Sequence, residues 1–189
     1  MLKTSMKLAV TVFLGTCLAF PVCAAQPSAG PPSTLSVQVM VAGKTAHTFT
    51  ESDLASLPRS SVVASVHDEP PSRWEGVALA ELLRRSGAPM DKQLRGHEMA
   101  KFVRVTGADG YQVVFSLTEL DAAFGNRDVL VVDRQDGHPL SEKDGPLRLV
   151  VAGDKRPARW LRELETIEVV DGSSGPGHSS VGTPASSGP

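Results

Sequence analysis

The stretch that decides the fold is Lys101–Phe115, which reads KFVRVTGADGYQVVF. β-Branched and aromatic residues at both of its ends are typical of strands, and Gly107–Gly110 between them is typical of a tight turn. So short a connection joins antiparallel strands, because parallel strands need a crossover of a dozen residues or more. The stretch therefore predicts a hairpin of two strands, Lys101–Thr106 and Tyr111–Phe115.

Further strand patterns lie on both sides of this hairpin. Apolar and polar residues alternate through Leu35–Val41, a period of two that predicts a half-buried strand. Short runs rich in β-branched, aromatic or other apolar residues predict the other strands. These are Ala46–Thr50, Ser61–His67, Val129–Val132, Leu147–Val151 and Ile167–Val170.

Three short helices are predicted between the strands. Thr50 and Ser116 each precede an acidic residue by three positions, which is the capping pattern of a helix start. The third helix has an apolar stripe that begins at Val77, and Gly87 ends it. Helices this short and irregularly spaced do not suit a parallel doubly wound sheet. The sequence predicts an α+β fold with mixed, mostly antiparallel sheets.

The first 25 residues are predicted to be a secretory signal peptide. Two lysines precede the apolar run Leu8–Phe20, and small residues follow it, which is the layout of a cleaved signal. The alternatives are an uncleaved membrane anchor and a lipoprotein. Cleavage removes Cys17 and Cys23, the two cysteines of the chain, and we expect a periplasmic or secreted mature protein without thiols.

The remaining chain divides into a linker, one domain and a tail. Residues 26–33 are a Pro-rich linker, and residues 172–189 are a Gly/Ser/Pro tail too polar to offset its ordering entropy. The predicted domain is residues 34–171. The formal net charge of −2 becomes more negative when the signal's lysines are lost. We therefore expect neither nucleic acid nor, after cleavage, a membrane as a partner, and whether the protein has a protein partner stays unknown.

Common catalytic patterns are missing from the sequence. Its histidines form no pair at metal-ligand spacing, and no metal site is predicted. No Gly-x-Ser-x-Gly elbow, phosphate loop or cysteine nucleophile is present in the predicted domain. His67, with Asp68 and Glu69, is the one local cluster, at the point where a strand enters a loop. Its alternative interpretation is a solvated loop end, and the catalytic residues stay unknown.

A basic cluster follows the strand Leu147–Val151. Lys155, Arg156 and Arg159, followed by Trp160, could hold a small anion, since arginine supplies a planar fork of donors. The alternative is a surface loop whose cations pair with nearby glutamates, Glu163 and Glu165.

Several motifs together resemble a known family. The chain is similar to the sulfite-oxidase-like, oxidoreductase molybdopterin-binding domain over nearly all of residues 35–170. The motifs that carry the resemblance are R-W-E-G-V-A-L (73–79), T-G-A-D-G-Y (106–111), D-G-H-P-L (136–140), G-P-L-R-L-V-V (145–151), R-W-L (159–161) and I-E-V (167–169).

The resemblance implies a sulfite-oxidase-like molybdopterin-binding fold and a set of cofactor-binding positions. Lys155, Arg156 and Arg159 would lie near the phosphate of the pterin. Asp109 and Tyr111 would belong to the framework or rim of the cavity, as would Trp74, and His67 would lie beside it.

The chain departs from this family at the metal ligand. Enzymes of the family hold molybdenum through a cysteine at the end of the strand before the W-x-G element, where this chain has Ala64–His67. Without a thiolate the soft ligand is missing. We therefore favour a cofactor-free, or non-thiolate, binding or accessory module. The alternatives are a molybdopterin-dependent oxidoreductase with an atypical metal environment, and a structural or interaction protein of the cell envelope.

Overall fold

The computed structural model describes residues 35–67 and 69–173. The predicted signal peptide and linker lie outside these residues, as does the tail after Ser173. None of the helices in the described ranges is long and apolar enough to cross a bilayer.

The described residues form ten strands and three short α-helices. The helices are α1 (Glu51–Ser56), α2 (Leu79–Arg85) and α3 (Leu117–Leu120). The strands are β1 (Ser36–Val41), β2 (His47–Thr50), β3 (Arg59–Ala64), β4 (Ser72–Ala78), β5 (Lys101–Gly107), β6 (Gln112–Ser116), β7 (Val129–Gln135), β8 (His138–Pro139), β9 (Arg148–Val151) and β10 (Leu164–Asp171).

Two sheets make up the domain. The first has the order β2-β1-β10-β5-β6, and its β1 and β10 run parallel while the other neighbours are antiparallel. The second has the order β3-β4-β7-β8 with β9 also paired to β7, and all of these pairs are antiparallel. The predicted α+β class with mixed, mostly antiparallel sheets and short helices is confirmed.

Local chemistry explains two of the helix starts. Thr50 Oγ1 accepts a hydrogen bond from Asp53 N while the Asp53 carboxylate accepts from Thr50 N. Ser116 and Glu119 make the same reciprocal pair at the start of α3. Each pair satisfies donors that a helix start leaves open, so both predicted capping patterns are confirmed.

The apolar core contains side chains from both sheets and includes the two tryptophans. Trp74 of β4 is 1% exposed, and its indole packs edge-on against that of Trp160 with ring centroids 5.7 Å apart. Each indole N–H donates to a backbone carbonyl, Trp74 to Ala64 and Trp160 to Val151. Buried tryptophans need such an acceptor, and these bonds fix both rings.

The main difference from the predicted elements is β4. The sequence predicts a helix from Val77, but Ser72–Ala78 is a strand that pairs with both β3 and β7, and the helix begins at Leu79. Gly76 explains why the strand is hard to predict: a Cβ there would lie 2.0 Å from the Val131 carbonyl oxygen. A glycine that permits such close approach has no side chain to contribute to a strand pattern.

Candidate functional site

A cleft of about 160 Å³ opens between four segments of the domain. These are the chain after β3, the β5–β6 hairpin, the start of β9 and the segment between β9 and β10. The polar lining consists of His67, Asp109, Tyr111, Arg148 and Arg162, and the apolar lining of Val66, Pro157, Trp160 and Leu161. The cleft therefore combines two guanidinium groups with an apolar wall.

His67 stands at the lip of the cleft in a rare backbone conformation. Its φ of 52° lies in the left-handed region, which few residues other than glycine adopt. Glu163, next to the lining residue Arg162, is also left-handed with φ 45°. Left-handed residues cost on the order of 1 kcal/mol each and persist only where the surroundings fix them.

The β5–β6 hairpin presents Asp109 and Tyr111 to the cleft. Asp109 Oδ1 accepts a hydrogen bond from Tyr111 N at 2.8 Å, which closes the turn. The Tyr111 hydroxyl donates to the Ala158 carbonyl at 2.9 Å. This hydrogen bond therefore links the hairpin to the segment after β9, and it uses the one proton that the hydroxyl can donate.

Arg148 is the cation built most deeply into the cleft wall. It is the first residue of β9 and only 3% exposed, in a strand whose other residues are buried and apolar. The centre of its guanidinium lies 5.0 Å from the Trp74 ring centroid and 5.8 Å from that of Trp160. Arginine over two indole faces is held by cation–π attraction.

The guanidinium of Arg148 is only partly compensated. Nη1 donates to Asp144 Oδ1 at 2.8 Å, and Nε is buried without an acceptor among the described residues. Asp144 also pairs with Arg162, whose Nε lies 3.1 Å from the same oxygen. Burial lowers the pKa of Arg148 from its usual value, although the charge of Asp144 opposes that shift.

The backbone holds Arg162 beside Arg148. Leu149 N donates to the Leu161 carbonyl at 2.8 Å, and Leu164 N donates to the Leu147 carbonyl at 2.9 Å. These bonds fasten the 161–164 segment along β9. Arg148 is therefore positioned by a strand, and Arg162 by a loop that is hydrogen-bonded to that strand.

The structure brings three of the predicted site residues together and separates the other three. His67, Asp109 and Tyr111 line the cleft, whereas Lys155 and Arg156 are exposed and do not line it. Arg159 does not line it either, and the pairing expected from sequence with Glu163 and Glu165 is replaced by other carboxylates. Whether any of these six residues binds a cofactor stays a prediction.

Arg159 has a full set of acceptors. Its Nε and Nη2 donate to the two carboxylate oxygens of Asp154, both at 2.7 Å, and Nη1 donates to Glu119 Oε1 at 3.0 Å. Arg127 pairs with the same two carboxylates. The hydrogen bonds to Asp154 and Glu119 raise the pKa of Arg159, so its charge is stabilised internally.

Sequence reasoning missed Arg148 and Arg162 as cleft residues. A signal was present for the first, since Arg148 interrupts the apolar run Leu147–Val151. An arginine at a buried strand position needs partners, which is a more specific indication than a cluster of cations in a loop. Arg162 carries no comparable signal, because it is exposed and lies in an ordinary loop.

The described residues offer no conventional metal centre. Within residues 35–67 and 69–173, no group of three or more His, Cys, Asp or Glu side chains has metal-binding geometry. Both cysteines of the chain, Cys17 and Cys23, lie before the described part. The lining of the cleft is instead suited to hydrogen bonding with an anion.

Comparisons with known proteins give two findings. The model of the family described as "oxidoreductase molybdopterin binding domain" matches residues 70–176. Among solved structures, a chain of the sulfane dehydrogenase SoxCD from Paracoccus pantotrophus is similar, with 19% identity and a TM-score of 0.56. The similarity covers 72% of this chain but only 38% of that one. No curated protein sequence matches.

Proposed function

The chain belongs to the oxidoreductase molybdopterin binding domain family, and from that premise we propose that it is a cofactor-free binding or accessory module of this fold. The family match and the likeness to SoxCD confirm the predicted sulfite-oxidase-like molybdopterin-binding fold. The chain spans less than two fifths of the SoxCD chain, and a likeness at 19% identity concerns the fold alone. The proposed function therefore depends on the cleft.

The first support for a cofactor-free module is the donor set at the expected metal position. The resemblance places the metal-ligating cysteine at the end of the strand before Trp74, which is β3 in this chain. That strand ends at Ala64, and Ser65, Val66 and His67 follow it. A hydroxyl and an imidazole do not replace a thiolate as a soft ligand.

The second support, and the observation that carries the proposal, is the cleft itself. Its volume of about 160 Å³ is well below the roughly 300–1,000 Å³ usual for drug-sized ligands and cofactors. Arg148 and the two tryptophans occupy the adjoining interior. A cleft of this volume matches a small ligand better than a pterin with its dithiolene and phosphate.

The third support concerns the phosphate of the pterin. Of the three cations that the resemblance assigns to it, Arg159 is fully paired with Asp154 and Glu119. Lys155 and Arg156 are exposed and outside the cleft. A phosphate would have to compete with two carboxylates for Arg159, which is unfavourable.

Elemental analysis tests the proposal against a molybdopterin-dependent oxidoreductase. The full chain is produced in a molybdenum-replete bacterial host and purified as the processed protein. We expect molybdenum far below one atom per chain and no pterin fluorescence after oxidation. Stoichiometric molybdenum with pterin would overturn the cofactor-free function in favour of the oxidoreductase. If the protein proves metal-free and no small molecule binds the cleft, the result favours a structural role in the cell envelope over a binding module.

Export is part of the proposal and is tested separately. The signal-peptide pattern of residues 1–25 supports a periplasmic or secreted location. Intact-mass measurement of the protein from the periplasmic fraction should show loss of about the first 25 residues. Recovery of the uncleaved chain from the membrane fraction would contradict export as a free protein.

A further inference from the structure

β3 is an edge strand of the second sheet, far along the chain from the cations of the cleft. It pairs with β4 on one side, and no strand within residues 35–67 and 69–173 pairs with its other side. Residues Arg59–Ser61 and Val63 are exposed, and Val63 at 67% is the most exposed large hydrophobic residue that the structure describes. The backbone N–H and C=O groups on the outer side of β3 are therefore placed to pair with another strand.

β3 lacks the features by which edge strands usually avoid association. Proteins protect such edges with lysine, proline, a β-bulge or a very short strand. β3 is six residues long, contains neither lysine nor proline, and keeps an unbroken register with β4. By contrast, the edge strands β2 and β8 have only four and two residues, and β8 contains Pro139. Arg59, the one charged residue of β3, is already paired with Asp133.

The side chains of β3 match a second copy of the same strand in antiparallel orientation. Opposite residues of an antiparallel pair lie on the same face of the sheet. With a two-fold axis at Val62, the Val62 residues of the two copies are opposite each other, and Ser61 of each copy is opposite Val63 of the other. Val62 packs against the core and lies beside Trp74 of β4. The two Val62 side chains would therefore join the apolar layers of the copies, and Ser61 would cover the exposed Val63.

The charges on the outer face of the sheet are complementary in the same arrangement. In β4, Glu75 lies beside Ser61 and Arg73 beside Val63. Each row of residues across the junction therefore runs from Glu75 of one copy, through Ser61 and Val63, to Arg73 of the other. Opposite charges flank both rows, and like charges oppose each other in neither. The gain from such exposed charges is small, but two copies meet without repulsion.

From these observations we propose that the chain forms a two-fold symmetric dimer, in which β3 strands of two copies pair antiparallel over Ser60–Ala64. The second sheets of the two copies then become one continuous sheet. Because the contact is limited to one edge strand on each copy, we expect a weak dimer with a Kd in the range of about 10–100 µM. The dimer needs no ligand in the cleft, so it goes beyond the proposed function and is independent of it.

Sedimentation equilibrium of the processed full chain tests the dimer. The protein is measured from about 1 µM to about 1 mM, a range that brackets the expected Kd. The average mass should rise from that of one chain to that of two, without larger species, because a two-fold contact is closed.

Two charge variants test the strand that pairs. S61K places its new charge beside Glu75, and V63E places its charge beside Arg73, so each charge has a partner within its own copy. Each should nevertheless raise the Kd at least about tenfold, because a charge at the junction of the two edges opposes their association. The urea midpoint of each variant, measured at low concentration, should stay close to that of the parent.

β6 supplies the matched control. Val114 is 54% exposed on this other edge strand and lies beside Arg104, as Val63 lies beside Arg73. V114E therefore makes the same exchange in the same setting on a different edge. It should leave the Kd of the dimer unchanged.

Mixing the charge variants tests the register. In a mixed dimer, the lysine of S61K is directly opposite the glutamate of V63E, whereas neither variant alone has that pair. The equimolar mixture should therefore associate at least about tenfold more tightly than either variant alone.

Cysteine cross-linking tests the same register without added charge. No cysteine follows Cys23 in the chain. Residues directly opposite each other in antiparallel strands have Cα atoms roughly 4.5–5.5 Å apart, which suits a disulfide, so oxidised V62C should form covalent dimers. The residues of V63C would be diagonal neighbours roughly 7–8 Å apart, too far for a good disulfide. V63C should therefore cross-link much less, although position 63 is the more exposed.

Four results would overturn the dimer at β3. The first is a parent chain that stays monomeric up to about 1 mM. The second is a V114E variant that weakens association as much as V63E, because the contact would then involve β6. The third is a mixture of S61K and V63E that associates no better than either alone, and the fourth is V63C that cross-links as readily as V62C. Molybdenum content, which tests the proposed function, bears on none of these measurements.

Discussion

Arg148 and Arg159 lie at the two ends of one segment and have opposite surroundings. Arg159 donates from all three guanidinium nitrogens to two carboxylates, and these bonds raise its pKa. Arg148 is the more buried of the two but pairs with one shared carboxylate, and burial lowers its pKa. Arg159 is therefore part of a structural ion-pair network, whereas Arg148 is a buried cation whose charge is only partly balanced.

This contrast shows why a cluster of cations in a sequence is a weak guide to a binding site. Lys155, Arg156 and Arg159 are conspicuous in the sequence, but the most buried of them is fully paired within the protein. The less conspicuous Arg148 has two tryptophans and a cleft beside it. Whether a cation is available to a ligand depends on how many carboxylates already pair with it, and the local sequence does not contain that information.

The largest expected effect comes from removing the ring beneath Arg148. W74A should lower the free energy of unfolding by about 3–5 kcal/mol, because it leaves a cavity in the core and removes a cation–π contact. Urea denaturation measures the loss. A loss below about 1 kcal/mol would mean that Trp74 does not support the Arg148 site, and W74F should recover part of the stability.

The next effect concerns the paired arginine. R159M should lower the free energy of unfolding by about 1–2 kcal/mol, since Asp154 and Glu119 would then share Arg127 alone. Urea denaturation at neutral pH checks this value against the parent. An unchanged midpoint would contradict the interpretation of Arg159 as a structural ion pair.

The pH dependence of that loss sharpens the comparison. The hydrogen bonds from Arg159 lower the pKa of Asp154 in the folded protein. Stability from this shift is therefore present above the unfolded pKa of about 4 and is lost as the pH falls through the lower folded pKa. The stability gap between parent and R159M should narrow between pH 5 and pH 3. A gap independent of pH would show that Asp154 is not the partner that matters.

The smallest expected effect on the free energy of unfolding comes from replacing Arg148, the buried cation that is only partly paired. R148M should change the free energy of unfolding by less than about 1 kcal/mol, because an apolar side chain of similar length removes a desolvated charge. Methionine also packs well against aromatic rings, and Asp144 keeps Arg162 as a partner. Equilibrium unfolding beside R159M measures the difference. A loss larger than that of R159M would make Arg148 structural as well.

Much of the fold could be predicted from sequence, but only part of the site. The Gly107–Gly110 turn and the capping residues Thr50 and Ser116 act locally, so their effects are visible in the sequence. The strand Ser72–Ala78 was missed because it depends on pairing with β3 and β7 around a glycine. His67, Asp109 and Tyr111 were placed at a cavity by resemblance, and they do line the cleft.

The remaining parts of the site depend on distant contacts. Arg148 contacts Trp74 across the core. Trp74 lies 74 positions earlier in the chain, so no local sequence pattern encodes this contact. Likewise, Glu119 reaches Arg159 from α3, and this pair removes the arginine from the set of free cations. Which carboxylates pair with which arginines can be seen only when the helices and strands are packed together.

The most direct test compares R148M and R159M by urea denaturation at neutral pH. We predict that R159M lowers the free energy of unfolding by about 1–2 kcal/mol and that R148M lowers it by less than about 1 kcal/mol. A loss for R148M that equals or exceeds that of R159M would contradict the account.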